Sequence, residues 1–206
     1  MAKLKSTLPN MVIVLGLIAA VTSLLLAYVY TITKEPIEQA KLQKLNAAIG
    51  EVVPGLNNFK EYKVAQLAED GSVIDSLTFY DVYKNDEIIG TAVQSYDKGG
   101  FNGLIKVLVG FDNTGEIIKS LPLEQAETPG LGDKLERSKS NFAAQFDGMN
   151  PSETNIKVKN DGGQIDAITA ATISSRAYCR AIQLAYDSYT TNKQTNEEGG
   201  NDEPIE

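Results

Sequence analysis

The chain has 206 residues, of which 42% are hydrophobic, and a formal net charge of −8 at pH 7. This size allows one ordinary domain with a short appendage, and the acidic balance argues against electrostatic binding to nucleic acid. The sequence contains no His and one Cys, Cys179. Their scarcity excludes His-ligated haem or zinc, a Ser-His-Asp mechanism, an internal disulfide and an iron–sulfur cluster ligated by this chain alone.

An uncharged stretch over residues 11–32 follows a short N-terminus, residues 1–10, that carries Lys3 and Lys5. As a helix it would span roughly 33 Å at about 1.5 Å per residue, enough to cross a hydrocarbon core of about 30 Å. We therefore predict one transmembrane helix over residues 11–32. A cleaved signal peptide is the alternative, but its apolar region would have about 7 to 15 residues and a small-residue cleavage site.

The positive-inside rule predicts the orientation of this helix. Lys3 and Lys5 place residues 1–10 in the cytoplasm and everything from Thr33 outside it. Tyr28 and Tyr30 suit the outer interfacial belt. The prediction is a single-pass protein of the cytoplasmic (inner) membrane, in contact with membrane lipid, with the bulk of the chain on the periplasmic or extracytoplasmic side.

After the span, residues 33–189 read as one α+β domain. A helical pattern over residues 36–49 links the anchor to this domain. Alternating apolar residues predict strands over residues 62–67, 77–83, 88–96, 105–111 and 117–123. Short turns at Glu69-Asp70-Gly71 and Asn85-Asp86 predict a mainly antiparallel sheet. Helices at both ends favour the α+β class over a doubly wound fold.

The C-terminal part of this domain is predicted to hold two further helices, over residues 134–146 and 175–189, and a short strand over residues 156–158. The buried residues of the first helix should be Leu135, Phe142 and Phe146. The residues that share one face of the second are Tyr178, Ile182, Ala185 and Tyr189. Ser174 or Ser175 is the expected N-cap, and Cys179 a small packed residue. Residues 190–206 are polar and acidic, which predicts a disordered tail.

Two Gly-rich loops interrupt the strand pattern. Gly99-Gly100-Phe101-Asn102-Gly103 lies between two strands; it is either a flexible hairpin turn or a place where the backbone approaches a flat ligand that Phe101 covers. Glu127-Thr128-Pro129-Gly130-Leu131-Gly132-Asp133-Lys134 contains a rigid Pro-Gly turn. Its Gly residues expose N–H groups able to meet the polar edge or the phosphate of a ligand.

The segment Asp166-Ala167-Ile168-Thr169-Ala170-Ala171-Thr172 follows the loop Asp161-Gly162-Gly163 and leads into the last helix. Thr172 stands just ahead of the predicted helix start, where unpaired N–H groups and the positive end of the helix dipole favour a phosphate. The plainer interpretation is that small hydroxylated residues cap the helix and let it pack closely on a neighbour.

The order of residues in this segment resembles Asp-x-x-Ser/Thr-Gly-Ala-Thr, the flavinylation motif of FMN-binding domains in the G subunit of the Rnf complex and the C subunit of the sodium-pumping NADH:quinone reductase. Ala170 stands where the family usually has Gly, a residue that permits positive φ. The two Gly-rich loops resemble the family's Gly-Gly-aromatic-x-Gly and Glu-Thr-Pro-Gly-Leu-Gly segments, in the same order. The resemblance implies FMN bound through a phosphodiester on Thr172. It further implies a set of cofactor-binding residues: Asp166, Thr169, Ala171, Ser174, Glu127, Thr128, Gly130, Leu131, Gly132, Gly100, Phe101 and Gly103.

The function implied by this resemblance is that of an electron-carrier subunit of a membrane ion-translocating oxidoreductase, with no complete active site and no metal on this chain. In the Rnf case the complex would connect ferredoxin and NAD through other membrane subunits. A separate flavin transferase would attach FMN from FAD, with Asp166 supporting the attachment. The alternatives are the sodium-pump C subunit, a cofactor-free membrane-tethered scaffold and a freestanding flavin reductase, for which no acid–base set is present.

Overall fold

The computed structural model describes residues 7–67, 73–85 and 87–198. The chain divides into two units, Met1–Lys44 and Leu45–Glu206. Helix α1, Leu8–Val52, contains the apolar stretch and is long and apolar enough to cross a membrane. The sequence predicted two helices here, but α1 is unbroken and contains Pro36. Pro36 removes one backbone donor from the helix interior, but its fixed φ is compatible with a helix and α1 continues through it to Val52.

The second unit is built on a five-stranded antiparallel sheet with the strand order β1-β2-β3-β4-β5. Its strands are β1 (Asn58–Leu67), β2 (Val73–Lys84), β3 (Glu87–Gly100), β4 (Gly103–Phe111) and β5 (Ile117–Glu124). Each predicted strand lies within one of these, which confirms the antiparallel α+β prediction. The turn predicted at residues 69–71 and Asp86 of the next turn lie outside the described residues.

One face of the sheet packs against helix α2, Thr172–Glu198, and against short 3-10 turns. Tyr178 of α2 is fully buried there, with its ring centroid 5.5 Å from those of Phe142 and Phe146. The predicted apolar face of this helix is confirmed, since all four of its residues are buried. Cys179 is buried beside them.

The other face of the sheet is covered by residues 45–53, from the last turns of α1 onward. Its core consists of apolar or aromatic side chains, among them Ile49, Val52 and Leu108. A Cβ atom at Gly110 of β4 would lie 2.3 Å from the backbone oxygen of Val52. The helix end therefore rests directly on the strand backbone.

The helix predicted over residues 134–146 is wrong. The segment contains two 3-10 turns, Gly132–Leu135 and Ala143–Phe146. Ser140 separates them, because its hydroxyl donates to Lys134 O at 2.6 Å and accepts from Phe142 N at 3.1 Å, bonds that compete with a helical ladder. The predicted buried residues of this segment are confirmed. Among the described residues, the strand predicted over residues 156–158 is reduced to one bridge, Val158 with Ile165.

The last helix also differs from the prediction at both ends. Disorder was predicted from Thr190, but α2 continues to Glu198, and residues 199–206 lie outside the described part of the chain. Its polar end is tied back to the domain, since Asn192 donates to Tyr62 Oη at 3.1 Å and Lys193 to Asn113 O at 2.7 Å. At the other end α2 begins at Thr172, so Ser174 and Ser175 lie inside its first turn and not at an N-cap.

Candidate functional site

A cavity of about 310 Å³ opens at the N-terminal end of α2. Its volume is at the lower end of the range of about 300–1,000 Å³ that is typical of small-molecule sites. The residues that line it are Phe101, Glu127, Thr128, Leu131, Gly132, Ala170, Ala171, Thr172, Ile173 and Ser174. Three segments that are separate in the sequence therefore meet around one cavity: the β3–β4 hairpin, the Pro-Gly loop after β5 and the start of α2.

Glu127 joins these three segments. Its side chain belongs to the Pro-Gly loop and is only 5% exposed. Asn102 of the hairpin donates its backbone N–H to Glu127 Oε1 at 3.1 Å, and Ser174 of α2 donates its hydroxyl to Glu127 Oε2 at 2.5 Å. Buried polar atoms need such partners, so the carboxylate fixes the relative positions of all three segments.

Two glycines make this close approach possible. A Cβ atom at Gly100 would lie 2.4 Å from Gly103 O and 2.7 Å from Glu127 Oε1. One at Gly132 would lie 2.6 Å from Glu127 Oε2 and 2.8 Å from Ser174 Oγ. Any larger residue at either position would separate the loop from the carboxylate that connects it to the rest of the site.

Thr172 is the first residue of α2 and is partly exposed to the cavity. The turn before it is held by Ser175, whose hydroxyl accepts from Ile168 N at 2.9 Å and donates to Ala171 O at 3.0 Å. Ala170 adopts φ of 63°, the left-handed conformation that Gly would adopt more readily. The unpaired N–H groups and the dipole at this helix end favour an anion beside Thr172.

Five of the predicted site residues are not among those lining the cavity: Gly100, Gly103, Gly130, Asp166 and Thr169. Asp166 and Thr169 are exposed. The Asp166 carboxylate pairs with Lys159 Nζ at 2.7 Å, and its backbone N–H and C=O bind the Gln145 amide at 2.8 and 3.0 Å. Asp166 is thus held at the surface of the segment before α2 and not in the cavity wall.

The structure adds Ala170 and Ile173 to the lining residues. Among the described residues of the second unit, the large hydrophobic side chains that are exposed are Ile88 and three around the cavity. Those three are Phe101, Leu131 and Ile173, with exposed fractions of 64%, 41% and 47%. An apolar side chain at the second position of an otherwise amphipathic helix was the available signal for Ile173.

Two arginines in the N-terminal half of α2 form ion pairs with aspartates of neighbouring segments. The Arg176 guanidinium binds Asp161 and holds the pKa of that carboxyl below its usual range. Burial raises the pKa of Asp97, but hydrogen bonds from Arg180 and from Gly99 N–H outweigh it, so the pKa is lower than usual. Both carboxylates therefore stay ionised at neutral pH and hold their loops against α2.

Comparison with known proteins supports, over most of the chain, the family resemblance that the motifs indicated. Residues 100–187 match the FMN-binding domain family, and residues 1–52 match the RnfG N-terminal region. The G subunit of the ion-translocating oxidoreductase complex of Shewanella piezotolerans is 34% identical over 197 residues, 92% of each chain.

The corresponding subunits of Shewanella loihica and Vibrio cholerae are 32% and 31% identical, over 88% of this chain and 89% and 90% of theirs. The FMN-binding match includes the hairpin tip from Gly100, the Pro-Gly loop and Thr172. The N-terminal match favours the G subunit over the C subunit of the sodium pump. The resemblance inferred from the motifs is confirmed: the chain belongs to the family of G subunits of ion-translocating oxidoreductase complexes.

Proposed function

We propose that this chain carries FMN covalently on Thr172 and passes electrons within an Rnf-type complex of the inner membrane, where other subunits connect ferredoxin and NAD. The chain is a redox subunit of an ion-translocating oxidoreductase, and residues 100–187 are an FMN-binding domain. The observation that carries the proposal is the meeting of all three motif segments at one cavity that begins at Thr172.

The residues around the cavity fit FMN. Phe101, Leu131 and Ile173 offer apolar surface to a flat ring, and Thr128 with the loop backbone offers polar partners. The start of α2 suits the phosphate. Of the two threonines of the motif, Thr172 lines the cavity whereas Thr169 is exposed and outside its lining, which supports Thr172 as the attachment point.

A bound flavin can accept two electrons as hydride and release them singly, and so link two-electron with one-electron carriers. The chain's own residues hold and shield it. Glu127 fixes the three walls of the cavity relative to one another, and Phe101 and Leu131 limit the access of water. Among the described residues, no group of three or more acidic or Cys side chains is arranged to bind a metal, and no metal is part of the proposal.

Attachment requires a second protein. Thr172 Oγ1 would form an ester bond with the FMN phosphate of FAD while the bond to the adenylate breaks, so AMP and the hydroxyl proton leave. A flavin transferase is the proposed catalyst, and the exposed Asp166 the residue that this transferase uses. The Lys159–Asp166 pair is exposed and costs little to break, since surface pairs contribute about 0–1 kcal/mol.

The membrane arrangement completes the proposal. Residues 1–10 lie in the cytoplasm, α1 crosses the inner membrane among lipid and the membrane subunits of the complex, and the FMN-binding domain faces the extracytoplasmic side. The positive charges of Lys3 and Lys5 support this orientation. Covalent attachment would prevent loss of the flavin on that side.

The test is the intact mass and visible spectrum of the full chain, co-expressed with a flavin transferase and denatured before measurement. The expected result is a mass increase of FMN minus water, located on the peptide that contains Thr172. A folded, colourless and unmodified chain would overturn the proposal in favour of the cofactor-free scaffold.

A further inference from the structure

Arg180 connects α2 to the β3–β4 hairpin. Its Nε donates to Asp97 Oδ2 and its Nη2 to Asp97 Oδ1, both at 2.8 Å. The same Nη2 lies 3.4 Å from Gly99 O, and Asp97 Oδ1 also accepts from Gly99 N at 2.7 Å. One guanidinium thus contacts Asp97, the last residue of β3 before the register shift, and Gly99, which lies within the shift.

The sheet alone holds the hairpin tip weakly. The pairing of β3 with β4 shifts between Asp97 and Gly100, and only the Gly100–Gly103 pair lies beyond the shift. The tip is otherwise held through Asn102, which bonds Glu127 Oε1 and Ala126 O. Phe101 lies within this tip and lines the cavity. The position of its ring therefore depends on contacts made from outside the sheet.

Gly99 leaves the space that the arginine occupies. A Cβ atom at this position would lie 2.6 Å from Arg180 Nη2 and 3.0 Å from Asp97 Oδ1. Gly99 has no positive φ, so the backbone itself does not demand glycine. The presence of glycine at position 99 is therefore explained by the space that the Arg180–Asp97 ion pair needs, and not by the backbone conformation of a turn.

We propose that Arg180 is a positioning residue that, through Asp97, holds the hairpin against α2 so that the Phe101 side chain covers the flavin. The part that concerns the flavin rests on the proposed function, whereas the anchoring of the hairpin does not. Both the attachment residue and the residue that covers the ring are thereby positioned by one helix.

The chain offers a matched control one helical turn earlier. Arg176 binds Asp161 through the same two-pronged geometry, Nε and Nη2 both at 2.7 Å. The two arginines are similarly exposed, with side-chain values of 40% and 52%. Asp161 belongs to the 3-10 turn Lys159–Asp161 and does not line the cavity.

The first experiment needs no flavin. Hydrogen exchange of the flavin-free full chain is compared in wild type, Arg180→Lys, Gly99→Ala and Arg176→Lys. Lysine at position 180 retains the positive charge but cannot form the two-pronged ion pair with Asp97. The methyl group of alanine at position 99 displaces the Arg180 guanidinium without a change in charge. We expect amide exchange in residues 98–103 to quicken about five-fold in the first two variants, because the loss of a two-pronged ion pair favours local opening. Exchange in residues 181–189 should stay unchanged.

The second experiment uses the FMN-loaded chain and measures quenching of flavin fluorescence by iodide. Arg180→Lys and Phe101→Ala should each raise the quenching constant, and the double variant should add little to either, because both remove the same cover. Arg176→Lys should match wild type. Equal effects of Arg176→Lys and Arg180→Lys, or an unchanged hairpin in Arg180→Lys, would overturn the proposal.

The two experiments separate the two proposals. Faster hairpin exchange in a chain that never acquires flavin would reject the proposed function and the covering role, and would leave the anchoring by Arg180 standing. Normal flavin loading with an unchanged hairpin in Arg180→Lys would reject the positioning role alone.

Discussion

The two faces of the sheet are built from different chemistry. The face covered by residues 45–53 is packed with apolar and aromatic side chains, and its close contacts join helix end to strand backbone. The face covered by α2 also contains a large aromatic core, but its end near Thr172 has buried polar side chains, among them Glu127 and Ser174. The buried side chains that the structure describes on one face are apolar or aromatic throughout, whereas the other face combines the larger apolar core with a cavity whose segments are joined by buried polar groups.

The difference teaches where a substitution should affect the fold and where it should affect the cofactor. A buried polar group that loses its partner costs free energy, so the α2 face should be sensitive to any change that breaks the hydrogen bonds of Glu127. Among the described residues, the buried side chains of the opposite face are apolar or aromatic, so this face should be sensitive to changes in side-chain volume instead.

The largest expected effect lies at the cavity. Thr172→Ala should abolish covalent FMN completely, because the attachment oxygen is gone, while the fold is kept. Intact mass and thermal unfolding measure the two properties. Thr172→Ser is the matched control, since it retains a hydroxyl, and it should still be modified. Flavin that stays attached in the alanine variant would place the linkage elsewhere, for example on Ser174, which also lines the cavity, or on Thr169.

On the opposite face, Gly110→Ala should destabilise the domain by about 3 kcal/mol, because the added methyl group meets the Val52 carbonyl and overpacks a tight contact. Chemical denaturation of the full chain in detergent measures this loss. Gly50→Ala serves as control, since the nearest atom to a Cβ there is Leu56 Cδ2 at 3.7 Å, an ordinary van der Waals contact. An equally stable Gly110→Ala variant would show that this face is as tolerant as an open surface.

Glu127→Ala should lower the free energy of unfolding by about 2 kcal/mol, because the Ser174 hydroxyl and Asn102 N–H lose their buried acceptor. It should also slow flavin loading, which Gly110→Ala should do only as far as it unfolds the chain. The free energy of unfolding from chemical denaturation and the rate of flavin loading, measured for both variants, distinguish the two faces of the sheet. Normal loading in a destabilised Glu127→Ala variant would reduce the carboxylate to a packing role.

Ala170→Gly should stabilise the domain by up to about 1 kcal/mol, because glycine relieves the left-handed strain at φ of 63° at some cost in chain entropy. The neighbour Ala171 is buried and has no positive φ, so Ala171→Gly should destabilise instead. Denaturation midpoints of the two variants should therefore move in opposite directions.

The smallest effect is pH-dependent and lies at the far end of the α2 face. Burial raises the pKa of Asp81 above its ordinary value, although hydrogen bonds from Thr91 and Tyr62 oppose this. The folded state therefore binds a proton more tightly than the unfolded state, and stability falls as pH rises from below 3.8 through the folded pKa. Asp81→Asn should be modestly more stable than wild type at neutral pH and equal to it at acid pH. Denaturation across this pH range provides the check.

The local part of the fold was readable in the sequence. Strand alternation, the buried face of α2 and the three motif segments all follow from periodicity or short patterns. The sequence did not indicate that residues 134–146 form two 3-10 turns and no helix, because this depends on hydrogen bonds of the Ser140 side chain that compete with helical backbone bonds. The ordered end of α2 depends on contacts of Asn192 and Lys193 with distant loops.

Most of the residues that line the cavity are among those that the motifs indicated, but the contacts that join the three segments could not be predicted. Glu127 was noted as a motif residue, yet nothing local in the sequence indicates that its two oxygens accept from two other segments. The same holds for Arg180 and Asp97, which meet only through the packing of α2 on β3. Long-range pairs of this kind require the assembled sheet.

The shared acceptor at Glu127 has a consequence for maturation. The β3–β4 hairpin, the Pro-Gly loop and α2 come from separate parts of the chain, so the cavity exists only after the sheet and α2 have assembled. A flavin transferase that recognises this arrangement would attach FMN to folded molecules and would not modify unfolded or truncated ones. The yellow colour of the mature subunit would then report on folding as well as on cofactor supply.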